Sequence, residues 1–227
     1  MPHLPNSRRE RLRREAIDEI KQRAMRQIAE SGPAGLSLTA IAKQMGMTGP
    51  ALYRYFANRD ALLTALIRDG YADLAQTVEQ TAQRDAALPA AERMQSVAAA
   101  LRAWASTDPQ RYLLLFGTPV PGYEAPIDTL DAANRTLYAF ATIAADLLSE
   151  APPPALGELG DQFQATAGQA GISAAALMTA TVMWTRMHGV VSLEVVGQFR
   201  HMHIDAALLL RREIDAVISD INTGRRN

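Results

Sequence analysis

The sequence predicts an all-α protein, and three observations carry that prediction. Apolar residues recur at spacings of three and four along most of the chain. Long alternating runs of Val, Ile and Thr do not occur, and no Asn-Gly or Asp-Gly hairpin signal sits between such runs. Pro and Gly gather at a few points that divide the helical stretches, notably Gly32-Pro33 and "GTPVPGYEAP".

Taken in order, "RRERLRREAIDEIKQRAMRQIAES" places Leu12, Ala16, Ile20, Ala24 and Ile28 on one stripe with charges elsewhere, and it should stop at Gly32-Pro33. "LTAIAKQM" is a second helix with Ser37 placed to cap it. A turn at Gly46 leads to a third, short helix from Thr48 to about Phe56. Thr48 can cap that helix, and Pro50 is tolerated in its first turn. Asn58 caps a long fourth helix, about 58–84, that leaves the small N-terminal domain. Further helices are expected at about Ala91–Ser106, from Pro109 through "QRYLLLF", and at Ile127–Leu148. "APPPALGELGDQFQATAGQAG" is weakly patterned and reads as a loop with a short helical turn near Phe163. Two final helices should run at about Ser173–Val196 and Ile204–Ile221.

The chain has 227 residues, 48% of them hydrophobic, which is enough to bury a core in one large or two small domains. With no cysteine, disulfides, thiolate zinc sites and cysteine nucleophiles are excluded. No apolar run approaches the roughly 20 residues that cross a bilayer. The basic start "MPHLPNSRRERLRRE" lacks the apolar stretch of a signal peptide. The expectation is a soluble, cytoplasmic protein. A formal charge of −1 conceals an asymmetry. Up to Asp60 there are 11 Lys+Arg against 6 Asp+Glu, a net of +5; the remainder carries 12 against 18, a net of −6. A basic module beside an acidic body suggests that only the first part meets a polyanion.

Ala42, Gly46 and Leu52 stand at positions 5, 9 and 15 of a window that starts at Leu38. Two helices that cross steeply need a small side chain at closest approach, and Ala42 supplies it. The tight turn between them needs positive φ, which Gly46 adopts without a Cβ clash. Leu52 ties the second helix back onto the first, and Ile41, Met45, Met47 and Phe56 complete a small core. These are the requirements of a helix-turn-helix, here about 37–56, whose second helix lies in the DNA major groove with a polar outer face. On that face Tyr53 fits either a DNA contact or partial packing, while Arg54 and Tyr55 can reach phosphates, thymine methyls or a guanine edge. Thr48, Gly49 and Pro50 are small enough to let the helix start approach the bases. Ser37, Thr39 and the next helix start at Asn58 offer hydroxyls and backbone N–H groups to phosphates. Arg8, Arg9, Arg11, Arg13 and Arg14 add sequence-independent attraction.

"GLSLTAIAKQMGMTGPALYRYFANRDALLTALI" resembles the DNA-binding domain of TetR-type (tetracycline-repressor-like) regulators. The shared features are the Leu38–Ala42 helix start, the Gly46 turn, "ALYRYF", and Asn58-Arg59 before "ALL". The family usually has Lys where this chain has Arg59, so the charge is kept. The resemblance covers about the first 70 residues and is more specific than an isolated Ala-x3-Gly-x5-Leu spacing. It implies a DNA-binding role for Ser37, Thr39, Thr48, Gly49, Pro50, Tyr53, Arg54, Tyr55, Asn58 and Arg59. Farther on, Trp184, His188, Gly189, Leu193-Glu194 and Gly197 resemble the Trp-His-Gly signature of one C-terminal subgroup, and "DPQRYLLLFGTPVPGY" resembles its other recurring block.

The resemblance implies an N-terminal helix-turn-helix domain over residues 1–57 and a helical effector-binding and dimerisation domain over 58–227. Trp184 and His188 are four apart and share a helix face. With Trp104, Tyr112, Phe116 and Tyr123 they would line a mostly apolar effector pocket. The competing reading is that they pack the domain, with His188 hydrogen-bonded in the core. The last two helices carry apolar stripes, Ala174–Val196 and Ala206, Leu209, Leu210 and Val217, that suit a four-helix dimer interface. His188, His201 and His203 lack metal-ligand spacing, so no metal and no cofactor is expected. Nor is an enzyme: there is no paired-carboxylate pattern, no nucleophile with a base and no phosphate loop. The function implied is a homodimeric, ligand-responsive repressor that spans half-sites roughly 34–36 Å apart on a palindromic double-stranded operator. The alternatives are a helical ligand-binding or enzymatic body with incidental DNA binding, or an activator or DNA-coating protein without effector.

Overall fold

The first helix ends where Gly32 and Pro33 fall. In the computed structural model, which describes residues 8–127, 129–149 and 157–223, α1 spans Arg8–Ser31. Gly32 follows at φ 71° and leads into a 3-10 turn, Pro33–Gly35. Then come α2 (Leu38–Gln44), α3 (Gly49–Tyr53) and α4 (Arg59–Arg84). The chain continues through α5 (Ala90–Thr107), α6 (Pro109–Phe116) and α7 (Thr129–Leu148). It finishes with α8 (Gly160–Ala170), α9 (Ala174–Val195) and α10 (Ala206–Thr223). No strand occurs among the described residues, so the fold is all-α. No helix among them is long and apolar enough to cross a membrane.

Capping accounts for several helix starts. Ser37 Oγ accepts from the Ala40 N–H, Asn58 Oδ1 from Ala61 and Ser173 Oγ from Ala176, each satisfying a first-turn donor that has no partner within its helix. Asp205 does the same for α10 through the N–H groups of Ala207 and Leu208.

Two expectations are corrected. The stretch read as a loop around Phe163 holds a 3-10 turn, Gly157–Leu159, and then the eleven-residue α8. Its apolar face is small, Phe163 and Ala167 four apart, and it is completed only by packing with Leu137, Ile172, Ala174 and Leu177. A helix whose inner face is so short has weak periodicity in sequence. Gly171, at φ 67°, ends it in the left-handed conformation. The second correction concerns α1. Ile20, Ala24 and Ile28 are buried, whereas Leu12 is 52% exposed, so the stripe enters the core only from its fourth turn onward.

Two compact units emerge. One lies within Met1–Gly70 and Gln110–Thr129, the other within Tyr71–Pro109 and Leu130–Asn227. The division falls inside α4, and α6 with the loop after it joins the first unit. Local contacts explain this. The Tyr123 and Thr64 hydroxyls are hydrogen-bonded at 3.0 Å, and a Cβ at Gly70 would meet the Leu115 side chain at 3.1 Å, so glycine lets α6 approach α4 closely. Within the second unit α9 packs on α5, α8 and α10 around Met94, Val97, Leu101, Met183, Met187, Val191 and Ile214.

Candidate functional site

The helix-turn-helix is built from the residues that its spacing singled out. Ala42 and Leu52 are buried where α2 meets α3, with Ile41 and Phe56 beside them. Gly46 takes φ 65°, a conformation that costs side-chain-bearing residues steric energy. The Met47 N–H then donates to the Ala42 carbonyl at 2.9 Å and closes the turn.

Gln27, which the sequence reading passed over, holds the motif from behind. Its side chain is buried on α1, and Oε1 accepts the Ser37 N–H at 3.0 Å. The signal available was a polar residue on the inner face of α1, one position before Ile28. A buried carboxamide in that place needs a partner, and the start of α2 supplies one.

α3 is shorter than expected. It ends at Tyr53, and the Tyr55 and Phe56 N–H groups both turn back to the Leu52 carbonyl, at 2.8 and 3.3 Å. This tight final turn keeps Phe56 in the core while Arg54 and Tyr53 point outward, Tyr53 being 49% exposed. Thr48 occupies the N-cap position in extended conformation, but its side chain makes no capping bond. Thr39, Thr48 and Pro50 are exposed, and Gly49 is half-buried. Tyr55 is also half-buried, and the Arg13 guanidinium lies over its ring, 5.2 Å from the centroid.

Three of the expected DNA-facing residues have duties inside the protein. Ser37 and Asn58 are the caps described above. Arg59 donates from Nη2 to the Pro33 carbonyl at 2.8 Å and so ties the start of α4 to the α1–α2 connection. Lys21 of α1 reaches Asp69 of α4 at 2.7 Å, so α4 is fastened both to α1 and to the turn that follows it.

The six residues expected around an effector fall in both units. Tyr112, fully buried, and Phe116 pack ring to ring at 5.1 Å in the first unit, where Tyr123 also bonds Thr64. In the second unit Trp184 and His188 stack with centroids 4.3 Å apart, and Phe140 of α7 meets Trp184 edge-on at 6.0 Å. Phe140 is a member of this aromatic group that the sequence reading missed; its signal was an aromatic on the inner face of the α7 stripe. Trp104 donates its indole N–H to Asp73 at 2.7 Å. Burial pushes the His188 imidazole down to about 4, so it is neutral at physiological pH. A separate cleft of about 420 Å³ between α5 and α10 is lined by Glu92, Gln95, Arg102 and Asp215, with Ala and Leu between them, and contains none of the six.

Two family models match the chain. Residues 20–66 match "Bacterial regulatory proteins, tetR family", and residues 94–217 match "Tetracyclin repressor-like, C-terminal domain". The HTH-type transcriptional regulator Rv1816 of Mycobacterium tuberculosis is 36% identical over 200 residues, covering 82% of this chain and 85% of that protein. The crystal structure of the regulatory protein SCO4313 superposes with a TM-score of 0.79 at 41% identity, covering 95% of this chain and all of that one. The TetR family regulator PfmR of Thermus thermophilus shares the fold at 12% identity, with a TM-score of 0.61 over 89% of this chain and 98% of that one. A helix-turn-helix assembled from Ala42, Gly46 and Leu52, and a helical body that matches in its own right, place the chain in the TetR family of DNA-binding transcriptional regulators.

Proposed function

We propose that the chain is a homodimeric repressor that leaves a palindromic operator when a small, largely apolar effector binds its second unit. The observation that carries the DNA contact is the outer surface at the end of α3. Arg54 makes no ion pair among the described residues, Tyr53 is exposed, and both follow directly on a motif whose inner face is fully committed to the core. Thr39, Thr48, Gly49 and Pro50 complete the approach surface. Ser37, Asn58 and Arg59 serve it mainly by fixing the helix starts.

The dimer reading is supported by α9. Val182, Thr185, Gly189, Leu193 and Val196 recur three and four apart on its exposed side, and Leu208 of α10 is 65% exposed. Such a row suits a partner helix packed at close range. The effector reading is supported by Trp184, His188 and Phe140, an aromatic group with a neutral imidazole that favours an apolar or aromatic ligand. α4 belongs to both units, so it is the covalent route between effector state and half-site spacing, and differential affinity of the ligand for two conformers suffices.

The test is selection of bound duplexes from a random pool by the full chain, with sedimentation of the complex. A two-half-site palindrome occupied by two chains is the expected result. Binding without a motif that fades with rising salt would defeat the operator reading, and a single chain per site would defeat the dimer. Screening that operator against apolar compounds then tests release.

A further inference from the structure

The first two turns of α1 project past the core that the rest of the helix serves. Arg8, Arg9, Leu12 and Arg13 share one face there, since 8 and 12, and 9 and 13, are four apart. That face meets the end of α3. Together with Arg54 and Tyr55 these residues line an open cleft of about 610 Å³. Four of the six lining residues are arginines, and the cleft contains no carboxylate. Among the described residues Arg8, Arg9 and Arg54 make no ion pair, while Arg13 is held over the Tyr55 ring. Leu12 stays exposed in the middle of this group.

Helix α1 therefore uses its surface in two ways. From Ile20 onward the inner face is core. Before it, the same helix carries a concentration of positive charge that burying would penalise and that no acid in the cleft neutralises. Such a surface suits a partner that is itself a dense row of negative charges, and its position beside α3 puts it next to the duplex that α3 would read. The Arg13–Tyr55 stack has a further consequence. A guanidinium over a tyrosine face is attractive, and it restricts the ring to one orientation.

Resting on the DNA-binding reading above, we infer that Arg13 is a positioning residue that holds Tyr55 for its contact with the operator, while Arg8 and Arg9 on the same face supply the sequence-independent attraction to phosphates. The two roles separate experimentally. Phosphate contacts act alike on all sequences and set the salt dependence. A positioned side chain acts on the preference for one sequence over another.

The experiment measures binding of the full chain to its selected operator and to a scrambled duplex of equal length across a salt series. Arg8→Ala with Arg9→Ala should weaken binding to both duplexes by the same factor. It should also lower the slope of log affinity against log salt by about two per bound chain. Arg13→Ala should cut the operator-to-scrambled preference by about tenfold, the scale of one lost sequence contact, and Arg13→Lys should restore most of it because a cation over the ring is kept. An unchanged salt slope in the double variant would overturn the phosphate role. Equal losses on both duplexes for Arg13→Ala, or no rescue by Lys with an unaltered melting curve, would overturn the positioning role. Failure of the unmodified chain to select any operator would instead refute the DNA-binding reading itself, and it is read before any variant is made.

Discussion

Arginines inside the second unit and arginines at the outer face of the first are put to opposite uses. In the second unit, four arginines clamp carboxylates on other helices: Arg93 with Asp146, Arg102 with Glu194, Arg135 with Glu79 and Arg186 with Glu213. The Arg102 pair is bidentate and part-buried. At the outer face of the first unit, Arg8, Arg9 and Arg54 have no acid to answer them among the described residues. The same side chain is internal fastening in one place and an offer to an external anion in the other. Local acid content makes the difference, and it was visible as the +5 and −6 charge of the two parts of the chain.

Substitutions at the two kinds of arginine should separate operator binding from stability. Arg54→Ala combined with Tyr55→Ala should weaken operator binding about 100-fold, each lost contact being worth about 1–3 kcal/mol, and should leave the melting temperature and the sedimentation of the free protein unchanged. A fall in stability equal to the fall in affinity would mean that these side chains support the fold instead. Arg102→Ala should do the reverse. Losing a charge-assisted pair with Glu194 should cost about 1.5–3 kcal/mol in chemical denaturation. Operator affinity per folded molecule should stay the same in a titration corrected for active fraction.

Gln27→Ala sits between these two extremes. The Ser37 N–H loses its acceptor, so a destabilisation of about 1–2 kcal/mol is expected, together with a loss of operator affinity of a few-fold, because the start of α2 loosens. Denaturation and binding curves on the same sample would sharpen how much of the DNA surface depends on support from α1. The last effect concerns His188 and is confined to acid pH. Its folded value of about 4 lies below the usual 6.5, so the unfolded chain binds the extra proton first. Its contribution is complete above about pH 6.5 and is lost as the pH falls toward 4, at no more than about 1.4 kcal/mol per pH unit. His188→Asn should flatten the stability profile in that window alone; an unchanged slope would mean that the imidazole is solvated.

What could be read without a structure was local. The helix-turn-helix depends on Ala42, Gly46 and Leu52 within fifteen residues, and on caps at Ser37 and Asn58 that act over three. Periodicity located every long helix for the same reason, because a face repeats every three or four positions. The α8 segment escaped because its inner face is short, Phe163 and Ala167 alone, and gives little periodicity.

Local sequence dictates the all-α class, the order of the long helices, the helix-turn-helix motif and the split of charge. Tertiary structure alone decided which faces meet. It turned Arg59 inward to the Pro33 carbonyl, laid Arg13 over Tyr55, set Phe140 against Trp184, and brought Tyr123 to Thr64 so that α6 belongs with the N-terminal unit. These contacts join residues 26 to 59 positions apart, and no periodicity or cap reaches so far. They follow from the shape and charge of whole helix surfaces once those surfaces are assembled.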